Sequence, residues 1–164
     1  MKRNILPAAF ATMLMILVMR WQGGSLISND SPRAIVDLEL AKTADRVKVL
    51  LMNWDLSFVR MNIWLDFIFI VTYVFFLSLA AYKTAGKWPE KTLLNRVGFI
   101  LAKTAFAAGI FDIGENLFML QTIAGNYTES SLQYTYYCAI IKFSLIVLIL
   151  VYLLISLPVI FRKK

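Results

Sequence analysis

The chain has 164 residues, of which 60% are hydrophobic and 16% are charged, and its formal net charge is +7. Soluble domains carry about 25% charged residues, so this composition predicts an integral membrane protein. The chain has no histidine and a single cysteine, which excludes histidine-ligated haem, zinc and copper, an internal disulfide and a Cys-x-x-Cys redox pair. We therefore expect no cofactor.

Four long apolar runs follow one another along the chain and predict four membrane-spanning helices. Their predicted limits are residues 5–21, 62–82, 97–120 and 135–161. Crossing the hydrocarbon core takes about 20 helical residues, with about 17 as the lower limit, so the first run is marginal. It could instead be a secretory signal, but no small-residue cleavage site follows it, and we expect it to be retained. The sequence thus predicts a single all-α membrane domain, a four-helix bundle.

Basic residues mark one side of the predicted bundle. The two termini and the 83–96 loop together carry nine basic residues and one acid, whereas the 22–61 and 121–134 loops, counted with Arg20 at the end of the first run, carry six of each. By the positive-inside rule, both termini and the 83–96 loop are expected in the cytoplasm, and the protein in a bacterial-type cytoplasmic membrane. The basic residues form no aromatic-supported face, so nucleic-acid binding is not expected.

The segment 22–61 is more than a connector. Several of its apolar residues share one helical face, counted from Val36: Leu40, Val47, Leu50, Leu51, Trp54 and Phe58. This pattern predicts an outer amphipathic helix, or two helices broken near Thr43. It would either lie on the membrane surface as a connector or cover the bundle as a lid.

The third predicted span carries a narrow seam of small and polar residues at alternating spacings of four and three. They are Gly98, Ala102, Ala105, Gly109, Asp112 and Asn116. Small residues allow helices to approach closely in a bilayer, so we expect this seam to face the other helices. Lys103 lies on the opposite side of the helix and is expected to point outwards.

Ionisable residues in three spans fall at similar depths, all in the outer half of the bilayer. At about 1.5 Å of rise per residue, Asp66 lies roughly 6 Å below the outer end of its helix. Glu115 lies about 9 Å, Lys142 about 10 Å and Asp112 about 13 Å below theirs. Ionisable groups at such depth are costly and usually functional. We expect them to form one cluster, with Tyr73 and Asn116 as hydrogen-bonding neighbours.

Three stretches carry short motifs: AIVDLELAKTADRVKVLLMNW, IWLDFIFIVTYVFF and FDIGENLFML. Over residues 34–120 the chain resembles a group of small bacterial four-span membrane proteins. In that group an Asp-x-Glu helix with a terminal Trp precedes a Leu-Asp-Phe helix and an Asp-x-x-Glu-Asn helix. The resemblance draws attention to Asp66, Asp112, Glu115 and Asn116, adds Glu39 and Trp54 as lid residues, and implies no activity.

Two interpretations of the cluster follow. In the first it is an acidic pocket that binds or transports a proton, a cation, or an amine- or lipid-like ligand, because one lysine cannot neutralise three acids. In the second it is a packing contact in a structural subunit of a larger membrane complex or homo-oligomer. An enzyme acting on lipid through carboxylate acid–base chemistry is a third interpretation, disfavoured because no nucleophile or metal ligands are visible.

Overall fold

The computed structural model describes residues 5–160, and its regular elements are all helical. In chain order they are α1 (Leu6–Gly23), a 3-10 turn (Gly24–Leu26), α2 (Val36–Glu39), α3 (Ala44–Asn53), α4 (Leu56–Ala85), α5 (Leu93–Ile123), α6 (Glu129–Ile155) and α7 (Leu157–Ile160). The predicted cytoplasmic charges of Lys2, Arg3, Arg162, Lys163 and Lys164 lie outside the described residues.

Helices α1, α4, α5 and α6 are long and apolar enough to cross a membrane. The all-α fold with four such helices, predicted from the apolar runs, is confirmed at this level. Each run became a helix because its interior lacks the glycine and proline pairs that would interrupt one. Pro7 stands in the first turn of α1, where its missing N–H costs no hydrogen bond.

The long helices extend beyond the predicted spans, which followed hydropathy alone. Asp55, Thr92 and Thr128 act as N-caps of α4, α5 and α6, and each side chain accepts a hydrogen bond from a backbone N–H of the first turn. These caps start the helices several residues before the apolar stretches begin. The connection between α4 and α5 consequently shrinks from the predicted 83–96 to residues 86–92, whereas α6 ends before its predicted limit, at Ile155.

The segment 22–61 contains two separate helices, as in the second form of its prediction. Thr43 caps α3, so the break falls where the sequence placed it. The predicted shared face is wrong at its C-terminal end. Phe58 is exposed, because a second break at Trp54 and Asp55 starts α4 and resets the direction of its side chains. Val47, Leu50 and Trp54 do face inwards, against Ile63 and Met119.

Helix α4 is the centre of the bundle. It packs along α5 on one side and along α1 on the other, while α6 packs mainly on α5. In the described part of the chain, α1 makes no comparable contact with α5 or α6. Because only α4 supports α1, the gap between α1 and α6 is left open.

The predicted seam of α5 is buried along its whole length, and Lys103 points outwards. Gly109 marks a close approach of α4 to α5. A Cβ atom at this glycine would lie 2.7 Å from Cγ2 of Val74. The small residues therefore set the distance between the two helices that carry most of the polar groups.

Candidate functional site

Lys142 of α6 is the centre of a buried ionic cluster. Its Nζ lies 2.7 Å from Oδ1 of Asp112 and 3.0 Å from both carboxylate oxygens of Glu115. Oε2 of Glu39 is 3.5 Å away. Lys142 is 4% exposed and Glu115 0%. The ammonium is thus shared among three carboxyl groups that come from two different elements.

Two further polar residues complete the hydrogen bonding between α4 and α5. The hydroxyl of Tyr73 donates to Oδ2 of Asp112 at 2.6 Å. Nδ2 of Asn116 donates to Oδ2 of Asp66 at 2.6 Å. Asp66 makes no ion pair within the described residues, and Asn116 is its hydrogen-bonding partner. All six residues predicted from the spans are therefore brought to one place, and Asp66 lies there without direct contact with the lysine.

Glu39 reaches this cluster because α2 folds back against α5 and α6. Arg33 holds the start of that turn. Its side chain binds Oδ1 of Asp37 at 2.7 Å, and its backbone N–H donates to Oδ2 at 2.8 Å. Asp37 and Glu39 are both buried. The short helix thus carries a fourth carboxyl group to the cluster.

Burial raises the pKa of the Glu39 carboxyl, and the nearby Lys142 ammonium offsets only part of this effect. The neighbouring charge of Asp112 raises the pKa of Glu39 further. Glu39 consequently holds a proton to higher pH than an exposed glutamate does. The cluster can therefore adjust its net charge by protonation when no cation compensates it.

Several buried polar atoms of the site have no hydrogen-bond partner. Among the described side chains these atoms include Oε2 of Glu39, Oε2 of Glu115 and Oδ1 of Asn116. Buried polar atoms are nearly always satisfied, and an unsatisfied one calls for an explanation. Here the Oε2 atoms of Glu39 and Glu115 lie 3.5 and 3.0 Å from Nζ of Lys142 without a hydrogen bond, so the cluster has more acceptor oxygens than donors.

An apolar cavity of about 370 Å³ ends at the cluster. Glu39, Asp66, Asp112, Tyr73 and Lys142 form its polar end. The apolar walls come from α1, α4 and α6 and include Ile16, Phe69, Phe76, Phe143, Ile146 and Leu150. The cavity occupies the gap between α1 and α6. Sequence reasoning missed these walls, because hydropathy does not distinguish a residue that lines a gap from one that faces lipid.

Trp54, the other residue suggested as a lid, lies apart from the cluster. Its Nε1 donates to the backbone oxygen of Leu26 at 2.8 Å, and its ring is packed in the core formed by α3 with the ends of α4 and α5. Trp54 therefore ties the end of α3 to the backbone at Leu26 without entering the site. A second polar contact, between Gln22 of α1 and Asn62 of α4, also lies outside the cluster and was not predicted.

The site has the chemistry of a cation acceptor. The site contains four carboxyl groups and one ammonium. This gives a formal excess of three negative charges when all of them are ionised. No group of three or more His, Cys, Asp or Glu side chains in residues 5–160 is arranged to hold a metal ion. The carboxylate oxygens of the site can accept hydrogen bonds from a group that brings its own N–H donors.

Comparison with protein-family models, with curated proteins and with solved structures finds no match for this chain. Fold and site together define its class. It is an all-helical protein with four helices long and apolar enough to span a membrane, and with a buried ionic cluster at the end of a lateral apolar cavity.

Proposed function

We propose that the four long helices span a bacterial-type cytoplasmic membrane, with both termini and residues 86–92 in the cytoplasm. The orientation follows from the nine basic residues against one acid on that side. Helices α2 and α3 then lie on the outer surface, and the ionic cluster in the outer half of the bilayer. The lateral cavity between α1 and α6 opens towards the lipid.

This orientation predicts which residues react with a membrane-impermeant maleimide in intact cells. In a Cys138→Ala background, Thr128→Cys should be labelled before lysis, because Thr128 caps the outer end of α6. Glu90→Cys, in the cytoplasmic connection, should be labelled only after lysis. The reverse labelling pattern would show that Thr128 lies in the cytoplasm and Glu90 outside, which contradicts the proposed orientation.

We propose that the cavity binds an amphiphile with a cationic amine head. The observation that carries this proposal is the joining of an apolar cavity to a cluster with excess negative charge. A hydrocarbon tail suits the walls, and an ammonium suits the polar end. A cavity of about 370 Å³ falls within the range of about 300–1,000 Å³ typical of small-molecule sites.

The polar end provides the acceptors that an ammonium needs. Oε2 of Glu39 is buried and without a hydrogen-bond partner, and Glu39 lines the cavity. Asp66 also lines it and has no ion pair in the described chain. A bound ammonium would donate to these two carboxyl groups and reduce the negative excess, while Lys142 continues to hold Asp112 and Glu115.

The lateral opening gives a bilayer-dissolved ligand a route to the site. Ile16 of α1 is 43% exposed, and Phe143 and Leu150 of α6 are 38% and 43% exposed, although all three line the cavity. The walls are therefore only half covered by protein. An amphiphile could enter sideways with its tail in the hydrocarbon and its head at the level of Glu39.

Dodecylamine is a suitable probe. We expect it to raise the melting temperature of the protein in dodecyl maltoside, because it binds the folded state. Asp66→Asn should weaken its binding by about tenfold or more, since a hydrogen bond to a charged group contributes about 1.5–3 kcal/mol. The fold should survive this change, because the asparagine oxygen can still accept from Asn116.

Three comparisons make the result specific. Dodecanol keeps the chain and lacks the charge, butylamine keeps the charge and lacks the chain, and both should stabilise less. Asp45→Asn removes an equivalent charge from a side chain that is 95% exposed, and should bind dodecylamine as the original chain does. Equal stabilisation by dodecylamine and dodecanol, or equal binding by the two variants, would contradict the proposal.

A second candidate function is that of a structural subunit in a larger membrane complex, in which the cluster only fixes the packing of the helices. The observation that favours it is the contact of Lys142 with three carboxyl groups at once, all buried. Purification in mild detergent separates the two candidates. A stoichiometric protein partner together with no response to dodecylamine would favour the subunit.

A further inference from the structure

A second apolar cavity, of about 490 Å³, meets the first at Phe76 and Leu150 and extends towards the other end of the bundle. It is also formed between α1, α4 and α6, next to residues 86–92. Its walls are almost entirely apolar and include Phe76, Ala80, Leu150, Leu153, Leu154 and Leu157. Leu154 and Leu157 are 64% and 41% exposed, so this cavity too is open at its side.

Two lysines stand at the mouth of this cavity, Lys83 in the last turn of α4 and Lys87 in the following turn. Neither forms an ion pair with a carboxylate within residues 5–160. Nζ of Lys87 donates to the backbone oxygen of Ile160 at 2.6 Å, which draws the end of α7 to the mouth and leaves two donors of the ammonium for another acceptor.

We propose that this second cavity binds an anionic phospholipid of the cytoplasmic leaflet, with its phosphate on Lys83 and Lys87 and an acyl chain along α4 and α6. Charge complementarity selects this occupant, because the mouth is cationic and the walls accept hydrocarbon. The cavity shares Phe76 and Leu150 with the first one, but its two lysines have the opposite charge and lie at the other end of the groove from the ionic cluster, so the two headgroup sites are separate.

The depth of the cavity fits a lipid chain better than a short anion. Phe76 lies seven residues before Lys83 on α4, which is about 10 Å along the helix. The apolar wall therefore continues about 10 Å past the lysines into the hydrocarbon layer. A phosphate ion alone would leave this wall without a partner.

Native mass spectrometry of the purified protein in detergent can measure the binding of phosphatidylglycerol and phosphatidylcholine. We expect phosphatidylglycerol to bind more tightly. Lys83→Gln/Lys87→Gln should weaken it about 30-fold, since each lysine near an anionic headgroup contributes about fivefold. Lys48→Gln/Lys103→Gln removes the same charge from positions outside this cavity and should leave the affinity unchanged.

A second variant tests the acyl-chain part of the site while keeping both lysines. Ala80→Leu adds three carbons to a residue that lines the cavity, and it should reduce phosphatidylglycerol binding. The proposal would be overturned by equal affinity for the two lipids or by unchanged phosphatidylglycerol binding in the double-glutamine variant. It would also be overturned if inorganic phosphate alone stabilised the protein as much as phosphatidylglycerol does. Melting temperatures in lipid-free detergent show whether each variant is folded.

Discussion

Replacing Lys142 by methionine is expected to destabilise the protein more than any other single change at the ionic cluster. Within residues 5–160, Lys142 supplies the only ammonium in contact with Glu39, Asp112 and Glu115, and its loss leaves three buried carboxyl groups facing one another without a cation. Removing one partner of a buried ion pair typically costs about 3–5 kcal/mol. The melting temperature in detergent measures the loss, and Lys103→Met is the control, because Lys103 is exposed.

A second change should partly reverse this loss. Glu115 is completely buried and lies 3.0 Å from the ammonium. Glu115→Gln removes its charge while keeping its shape. The double variant Lys142→Met/Glu115→Gln should therefore melt above Lys142→Met alone. A double variant that melts lower, by the sum of the two single effects, would show that the charges act independently and that the cluster is not one electrostatic unit.

The second large effect is expected at Gly109, where α4 and α5 approach closely. A leucine there would collide with Val74, whose Cγ2 lies 2.7 Å from the position of a Cβ atom, and with Ile70. Overpacking of this kind costs about 1–3 kcal/mol, and more when the backbone cannot move. Gly109→Leu should lower the melting temperature far more than Lys103→Leu on the opposite face of the same helix.

The same two variants test the helix arrangement. Gly109→Leu is also expected to weaken the ionic cluster, because it pushes α5, which carries Asp112 and Glu115, away from α4, which carries Tyr73 and Asp66. If Gly109→Leu and Lys103→Leu melted at similar temperatures, the seam would not be the face on which α5 packs.

The sequence predicted the polar residues of the cluster because the position of a residue along a helix determines both its depth and the direction of its side chain. Counting residues from the helix ends brought Asp112 and Lys142 to one layer, and the spacing of small residues gave the inward face of α5. The ends of the helices were predicted less well. Hydropathy follows the apolar stretch, whereas the helix begins at a polar cap such as Asp55 or Thr92.

The position of Glu39 could not be derived from periodicity, and only the resemblance drew attention to it. Its contact with Lys142 depends on a turn in which Ala34 has a positive φ of 54° and Asp37 binds Arg33. Neither cavity could be predicted either. Both result from the packing of α1 on α4 alone. The amphipathic pattern of one helix does not show against which neighbouring helix it packs.

Photo-crosslinking tests the amine-binding proposal most directly. A long-chain alkylamine with a diazirine at its terminal carbon would be irradiated with the protein in detergent, and the labelled peptides identified by mass spectrometry. We expect labelling of Ile16 in α1 and of Ile146 in α6, which line this cavity and not the second one. The label should be lost with excess dodecylamine and in Asp66→Asn. Labelling spread over outward residues such as Ile68 and Ile110, unaffected by either, would contradict the proposal.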